Sequence, residues 1–458
     1  MNSAILRIGA TAMALAIAGC GGGSPQGGFA ASYTVGGTVS GLATGASVTL
    51  VNNGTDTLTV SSNTTFVFAT SISQNGSYAV TVKTQPTGQS CVVSGGSGSM
   101  LMANVTGVAV VCASQAQFAY VVNNGNNTLS QFSINASGML APLTAATVAT
   151  GNSPRSVTLD PTRRYVYVPN LIDNTLSQYV IQQDGTLAPN TPATVATGQG
   201  PWAVAVSPSG RAYVVNSVDN TISQFSVSSS GALVASSVAP VPTGLEPWNV
   251  TLSPDGKYAY VSNHGSDTTA GNTLSQFSIG ASDGALTPLT PATITTAGTY
   301  PGGVTVDANS AYAYVANIAS NSMSQYAIGT DGTLTKLSPA TVITGTEPVF
   351  MAIDPSNQYA YVANYTVDVN PTAAGTVSQY TLGATGLLTP MAVPTVIAGT
   401  GPGWIAFGNS GQYAYVVNRG NGTAPGTVSE YAISSDGSLS LIGTISAGPS
   451  AFMIATTD

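Results

Sequence analysis

Tyr213-Val214-Val215-Asn216 is one of seven copies of the pattern Tyr-Val-x-Asn that run through the chain. Successive copies lie 46 to 54 residues apart, a period that is typical of propeller blades or solenoid units. The copies end at Asn123, Asn170, Asn216, Asn263, Asn317, Asn364 and Asn418. Seven units of this length predict a repeated architecture for most of the chain.

The segments around each copy have the same order of turns and short strands. A turn ending in proline is followed by an apolar strand such as Ala203–Val206, a tight turn, the Tyr-Val-x-Asn strand and a strand of the type Thr-x-Ser-Gln. A turn such as Asp184-Gly185 then leads to a fourth strand. Four short strands without a 3.6-residue period form one antiparallel blade. The predicted fold class is therefore all-β, with a seven-bladed β-propeller over residues 116–458.

The two ends of the repeated region are incomplete in complementary ways. The region opens at Phe118-Ala119-Tyr120 without a preceding inner strand, and it finishes with a turn and a strand that no blade follows. We expect residues 449–458 to supply the inner strand of the first blade. This would close the ring and remove its open edge.

Residues 1–20 have the organisation of a secretory signal peptide. Arg7 precedes an apolar run, Ile8–Ala18, that is too short to span a bilayer as a helix. The following Gly-Cys20 resembles the lipobox of bacterial lipoproteins, in which the cysteine becomes the acylated N-terminus. The resemblance implies a lipid anchor on Cys20, a flexible spacer over residues 21–30 and a place in the bacterial cell envelope. The absence of an aspartate after the cysteine suggests the outer membrane, on either its periplasmic or its surface face.

Residues 31–113 carry a pattern different from that of the repeats. Short alternating segments such as Val35–Leu42 and Tyr78–Val82 predict a small β-sandwich-like domain before the propeller. The sequence of this domain suggests no catalytic chemistry, and the domain would act as a spacer or an adhesive module. Because the lipobox resemblance implies an oxidising compartment, Cys91 and Cys112 are expected to form a disulfide.

The composition excludes several classes of function. Charged residues make up 6% of the chain and the formal net charge is −8. Nucleic acid is excluded as a partner, because its binding needs clustered lysine and arginine. The carboxylates are too dispersed for a calcium cage, and two cysteines do not make a zinc site. We expect no metal and no cofactor, and the first expected partner is the membrane, through the lipid anchor.

The repeat over residues 116–458 resembles that of the Tyr-Val-Thr-Asn repeat proteins and of the lactonase-like seven-bladed propellers related to bacterial 6-phosphogluconolactonase. The resemblance implies a propeller fold and hydrolysis of lactones, with catalytic roles drawn from histidine, glutamate and arginine at the channel mouth. On this basis His264 and Glu246 are the candidate catalytic residues. The resemblance is more specific for fold than for activity, since one fold hosts many functions.

Chain direction predicts which variable positions share a face of the propeller. The inner strand starts at the proline turn and the second strand returns, so the loop after Tyr-Val-x-Asn lies beside the proline turns. The ligand-binding candidates at these positions are Arg155, Trp202, Trp248, Glu347, Tyr365, Trp404 and Arg419. Aromatic side chains with a few convergent polar groups are typical of a small-ligand site, although tryptophans near an axis also pack between blades.

Three functions stay open on the sequence alone. The propeller face could be a platform that binds a glycan, a polymer or a protein partner. It could instead carry a lactonase-like hydrolase, or the protein could be a structural or adhesion module. The low charge and the abundance of serine, threonine and asparagine favour the first and third of these.

Overall fold

The computed structural model describes residues 31–86, 89–114, 116–266, 268–367, 373–421 and 425–457. The predicted signal peptide, the spacer and Cys20 lie outside the described residues. The chain divides into two compact units between Ala113 and Ser114. In these ranges, no helix has the length and apolar character needed to cross a membrane.

The described residues of the first unit form two four-stranded sheets and a two-stranded one. The first sheet contains, in order, Thr65–Val67, Val35–Ser40, Val105–Ser114 and Gln89–Ser94. The second contains Asp56–Val60, Val48–Asn52, Ser77–Thr84 and Ser97–Ser99, and the two-stranded sheet pairs Ser32–Tyr33 with Ile72–Ser73. Apolar residues of both larger sheets, such as Val39 and Leu50, share one core. Cys91 and Cys112 are bonded at 2.02 Å, which confirms the predicted disulfide.

Seven antiparallel sheets make up the described part of the second unit, which confirms the predicted seven-bladed propeller. The inner strands, from the first blade to the seventh, are Ala451–Thr456, Thr158–Leu159, Pro201–Val206, Pro247–Leu252, Pro301–Val306, Pro348–Ile353 and Pro402–Gly408. The second strands are Gln117–Asn123, Tyr165–Asn170, Arg211–Asn216, Tyr258–Ser266, Tyr312–Asn317, Tyr359–Asn364 and Tyr413–Asn418. Each inner strand contacts the inner strands of both neighbouring blades, so the ring is continuous.

A third strand and an outer strand complete the sheet of each blade. The third strands are Thr128–Ile134, Thr175–Ile181, Thr221–Val227, Thr269–Ile279, Ser322–Ile328, Thr376–Leu382 and Thr427–Ile433. The outer strands are Leu140–Ala149, Leu187–Ala196, Leu233–Ala235 with Val241–Pro242, Leu286–Thr295, Leu334–Ile343, Leu388–Ile397 and Leu439–Ser446. A short 3-10 helix, Ile318–Ser320, follows the second strand of the fifth blade.

The asparagine of the repeat holds two strands of its own blade together. Asn123 Nδ2 donates to Thr128 Oγ1 at 3.0 Å and to Ser130 Oγ at 2.9 Å. The same two bonds recur at the other six copies. A buried amide without hydrogen-bond partners is costly, so these two hydroxyl groups explain why asparagine occurs at this position in all seven copies.

Two further bonds of the repeat join each blade to the next. Tyr120 Oη donates to the Gly185 carbonyl at 2.7 Å, and Gln131 Oε1 accepts from the Leu187 amide at 2.7 Å. A Cβ on Gly185 would lie 2.1 Å from the ring of Phe118, and the glycine has a φ of +83°. Glycine is therefore required at this turn both by its backbone conformation and by the close approach of the preceding blade.

The last strand of the chain lies in the first blade. Ala451–Thr456 pairs antiparallel with Gln117–Asn123, and Ala451 and Ile454 are buried. Thr457 adds bonds in both directions to the backbone of Phe118. The first blade is thus built from both ends of the repeated region.

The junction of the seventh and first blades departs from the repeat at Glu430, which stands where the other blades carry glutamine. Its Oε1 accepts from the Leu140 amide at 2.7 Å, as the glutamines do. Its Oε2 is buried without a hydrogen-bond partner among the described residues, and burial raises the pKa of this carboxyl. In the sixth blade, Gln379 Nε2 donates instead to the Val393 carbonyl. The seventh outer strand has eight residues where the sixth has ten, so the stretch that supplies this carbonyl is shorter.

Candidate functional site

A cavity of about 490 Å³ opens where the proline turns and the loops after the asparagines meet. All seven blades contribute residues to its lining. The first blade contributes Phe452 and Met453, both from the closing strand. The cavity therefore lies at the mouth of the central channel, on the face that the direction of the strands predicts.

Most of the predicted site residues lie together in this lining. His264 lines the cavity, and so do the predicted ligand-binding residues Arg155, Trp202, Trp248, Glu347, Tyr365, Trp404 and Arg419. The structure places Glu246 outside the lining; its backbone carbonyl accepts a hydrogen bond from the His264 amide at 3.0 Å. The acidic residue of the cavity is Glu347, whose side chain is only 8% exposed.

One wall of the cavity is a continuous stack of side chains from four successive blades. The rings of Trp202 and Trp248 are parallel, with centroids 4.7 Å apart, and His264 stacks on Trp248 at 3.3 Å. The Arg155 guanidinium lies 4.4 Å from the Trp202 ring, and Tyr300 lies 5.2 Å from His264 at the other end. Such aromatic and cation–π contacts contribute about 0.5–1.5 kcal/mol each, so the stack holds its members in fixed positions.

His264 is held in an orientation that defines its basic nitrogen. Its side chain is 9% exposed, and Nδ1 lies 3.3 Å from the Pro301 carbonyl oxygen. A carbonyl oxygen can only accept, so the neutral imidazole carries its proton on Nδ1 and has its basic lone pair on Nε2. A histidine in this tautomer can take a proton from a polar group in the cavity.

Two arginines lie near Phe452, at the end of the stacked wall that Arg155 forms. The guanidinium carbons of Arg155 and Arg419 lie 5.7 and 5.6 Å from the Phe452 ring centroid. Arg419 Nη1 donates to Tyr365 Oη at 3.0 Å, whereas Arg155 Nε is buried without a hydrogen-bond partner among the described residues. Burial, together with the charge of Arg419, lowers the pKa of Arg155 to about 10. Arg155 stays charged at neutral pH, and the charge of Arg419 repels it.

Asn249 also lines the cavity. Its place in the fourth proline turn puts it on the predicted face, but it is not among the predicted ligand-binding residues. Its Oδ1 accepts from the Val304 amide at 3.0 Å and from Thr251 Oγ1 at 3.1 Å. With Oδ1 occupied in this way, the Nδ2 amide is the group left to donate to a ligand. Asn249 directly follows Trp248 in the fourth proline turn, and this position is the sequence signal that could have identified it.

The rest of the lining is apolar or small. Phe350 stacks on Trp404 at 3.5 Å, and Gly302, Gly303 and Gly403 line the cavity where other blades carry larger residues. Within the described ranges, no group of three or more histidine, cysteine or carboxylate side chains could hold a metal ion. The chemistry available in the cavity is therefore that of one imidazole, one carboxylate, two guanidiniums and several hydrogen-bond donors.

The fold and the site together define a seven-bladed propeller with a small-molecule cavity at the channel mouth. The family described as lactonase, 7-bladed beta-propeller matches residues 37–342, 289–390 and 360–458. The chain belongs to this family. No curated protein sequence matches it.

Solved structures with the same fold include two that are named for lactone hydrolysis. One is a 6-phosphogluconolactonase-like protein from Bacteroides fragilis NCTC 9343, with a TM-score of 0.63 and 19% identity over 75% of this chain and 98% of that one. Another is the periplasmic gluconolactonase of Pseudomonas aeruginosa, with a TM-score of 0.59 and 17% identity over 74% of this chain and 99% of that one. At such low identity the likeness concerns the fold.

Proposed function

We propose that the protein hydrolyses a lactone in the cavity at the channel mouth. The observation that carries this proposal is the orientation of His264, whose Nδ1 contact with the Pro301 carbonyl makes Nε2 the basic nitrogen within the cavity lining. Membership of the lactonase family supports the same reaction class. The stacked indoles of Trp202 and Trp248 give a flat apolar surface on which a sugar-like ring can lie.

The groups of the cavity suggest a direct hydrolysis without a covalent intermediate. His264 Nε2 takes a proton from a water molecule, and the resulting hydroxide adds to the lactone carbonyl carbon. Asn249 Nδ2 donates to the oxyanion that forms on the carbonyl oxygen. The ring C–O bond then breaks, and the proton passes from His264 to the leaving alkoxide oxygen. The product is the open-chain hydroxy acid, so atoms and charge balance.

Replacing His264 with phenylalanine is expected to lower kcat for lactone hydrolysis by about 10²- to 10⁴-fold. Phenylalanine keeps a ring stacked on Trp248 but removes the base, so substrate binding should change less than kcat. The assay is the acid released from glucono-1,5-lactone, with the spontaneous rate subtracted. Unchanged turnover in this variant would contradict the role of His264.

Two forms of the proposal differ in which glutamate acts together with His264, Glu347 or Glu246. Substitution of each glutamate distinguishes them. Glu347 lines the cavity, so Glu347→Gln is expected to change kcat/KM by at least tenfold. Glu246 contributes its backbone carbonyl to the turn that holds His264, so Glu246→Gln is expected to have a smaller effect. If Glu246→Gln lost turnover and Glu347→Gln did not, the result would support the catalytic pair of His264 and Glu246 that the sequence suggested.

A second candidate function is non-catalytic binding of the same kind of ligand by the propeller face. The predominantly aromatic and apolar lining favours it, because such a lining provides affinity without chemistry. Saturable quenching of tryptophan fluorescence by a sugar ring, together with no turnover of any lactone, would favour this function over hydrolysis. A glycan, polymer or protein partner would then be the natural ligand.

We also propose that the protein is held at the bacterial outer membrane by a lipid on Cys20. The support is the lipobox-like sequence alone, since this part of the chain lies outside the described residues. Cys20→Ser is expected to abolish incorporation of an alkyne-labelled fatty acid and to move the protein from the membrane fraction to the soluble fraction. A labelled Cys20→Ser variant would contradict the anchor.

A further inference from the structure

We propose that Arg155 and Arg419 form a subsite for a carboxylate that the substrate carries in addition to its lactone ring. The preferred substrates would then be anionic lactones of carboxylic acids. This inference rests on the proposed hydrolysis, but its binding component can be tested without turnover.

The geometry around Phe452 supports an anion between the two arginines. Both guanidiniums lie within 6 Å of the Phe452 ring centroid, and both residues line the cavity. The buried Nε–H of Arg155 has no acceptor among the described residues. An anion would stabilise both the two positive guanidiniums and the unpaired Nε–H of Arg155. A carboxylate is suited to this place, because it accepts charge-assisted hydrogen bonds from guanidinium groups.

The charge of the lining favours a monoanion. Arg155 and Arg419 provide two positive charges, and Glu347 provides one negative charge in the same cavity. These three side chains together carry a single net positive charge. This matches a carboxylate better than a phosphate ester, which carries close to two negative charges at neutral pH.

The position of Arg155 separates this subsite from the reacting carbonyl. Along the stacked wall, the rings of Trp202 and Trp248 lie between Arg155 and His264. A lactone carbonyl that receives hydroxide beside His264 is therefore remote from the Arg155 guanidinium. Arg155 is consequently a specificity residue for a distal group of the substrate, whereas Asn249 donates to the reacting oxygen.

The first experiment compares three lactones with the purified protein. We expect kcat/KM for glucaro-1,4-lactone, which carries a free carboxylate, to exceed that for the neutral glucono-1,5-lactone by at least tenfold. Arg155→Gln should lower the value for the anionic lactone by about 10- to 100-fold and that for the neutral lactone by less than threefold. Arg155→Lys should recover part of the loss, and Arg419→Gln should reproduce it. Equal losses for both lactones, or a preference for 6-phosphoglucono-1,5-lactone, would overturn the proposal.

A second experiment measures binding without chemistry, by calorimetry with galacturonate and galactose, which share a pyranose ring and differ at the carboxylate. Galacturonate is expected to bind at least tenfold more tightly than galactose, and Arg155→Gln should remove the difference. Equal affinities, or no binding of either sugar, would overturn the carboxylate subsite. If the preference holds while no lactone is hydrolysed, the hydrolase proposal fails and the subsite stands.

Discussion

A chain that ends at Gly448 is expected to lose the closed propeller altogether. Deletion of residues 449–458 removes the inner strand of the first blade, including the buried Ala451 and Ile454. It also exposes one edge of Gln117–Asn123, a strand whose seven residues are all buried. Removing this strand should cost more than the about 5–15 kcal/mol by which a typical native state is stable. We expect the shortened protein to aggregate and to show no cooperative thermal unfolding of the propeller by circular dichroism.

A permuted chain provides the matched control for this deletion. Residues 449–457 are placed ahead of Gln117 and joined to it by a four-residue turn copied from Ser207–Gly210, which connects the corresponding strands of the third blade. This chain keeps residues 449–457 and the same strand pairing, adds the four turn residues, and has its opening between the seventh and the first blades. Recovery of cooperative unfolding is the expected result. A shortened chain that unfolds with the wild-type midpoint would show that the closing strand is dispensable.

Replacing Glu430 with glutamine is expected to stabilise the protein by about 1 kcal/mol at pH 8, because an uncharged amide is less costly to bury than a carboxylate. The glutamine keeps the acceptor for the Leu140 amide and removes the buried carboxylate. Its Nε2 lacks the carbonyl that Val393 supplies in the sixth blade, which limits the gain. Urea unfolding of both proteins at several pH values measures the difference. A glutamine variant that is less stable at pH 8 would contradict this account.

The pH dependence of this effect follows from the direction of the pKa shift. Burial raises the pKa of Glu430 in the folded protein, the bond from Leu140 offsetting part of the shift, while the unfolded chain has a value of about 4.3. The folded state thus holds the proton more tightly, and wild-type stability falls as the pH rises through the folded pKa. The advantage of Glu430→Gln should therefore shrink at pH 4. The reverse change in the sixth blade, Gln379→Glu, should destabilise, because it places a carboxylate oxygen against the Val393 carbonyl.

The propeller could be predicted because its blades are copies of one another. A single Tyr-Val-x-Asn strand is ambiguous, but seven copies with the same turns determine both the number of blades and the order of strands within them. Each constant residue has a bond that explains it, as Tyr120 and Gln131 show. The repeat also identified Glu430 as an exception, although the sequence does not show that its second oxygen is buried without a partner.

The position of the site could be predicted, but not which acidic residue enters it. Glu246 and Glu347 each precede the proline of an inner strand, and both have a positive φ, 48° and 55°. Each accepts a backbone bond from the residue after the asparagine of its own blade, His264 or Tyr365. The two glutamates are equivalent in sequence and in backbone, so only the packing of their side chains separates them.

No ligand-binding role was predicted for Asn249, because its position in the repeat varies widely. The residue two places after the proline is Asn249 in the fourth blade, Gly303 in the fifth, and Trp404 in the seventh. Without the three-dimensional neighbours, an asparagine at such a position resembles any turn residue. Its role depends on the Val304 amide of the adjacent blade, a contact across blades that sequence spacing does not reveal.

The bonds between blades have a consequence for the conditions under which the protein can work. The tyrosine–glycine and glutamine–leucine bonds that join successive blades link uncharged groups. Dissolved ions screen charges, and they do little to neutral hydrogen bonds in a dry interface. We expect the junctions with neutral bonds to depend little on ionic strength, in contrast to the junction of the seventh and first blades, where Glu430 replaces the glutamine. Such insensitivity would suit the location in the cell envelope that we propose, where the cell does not control the ionic strength.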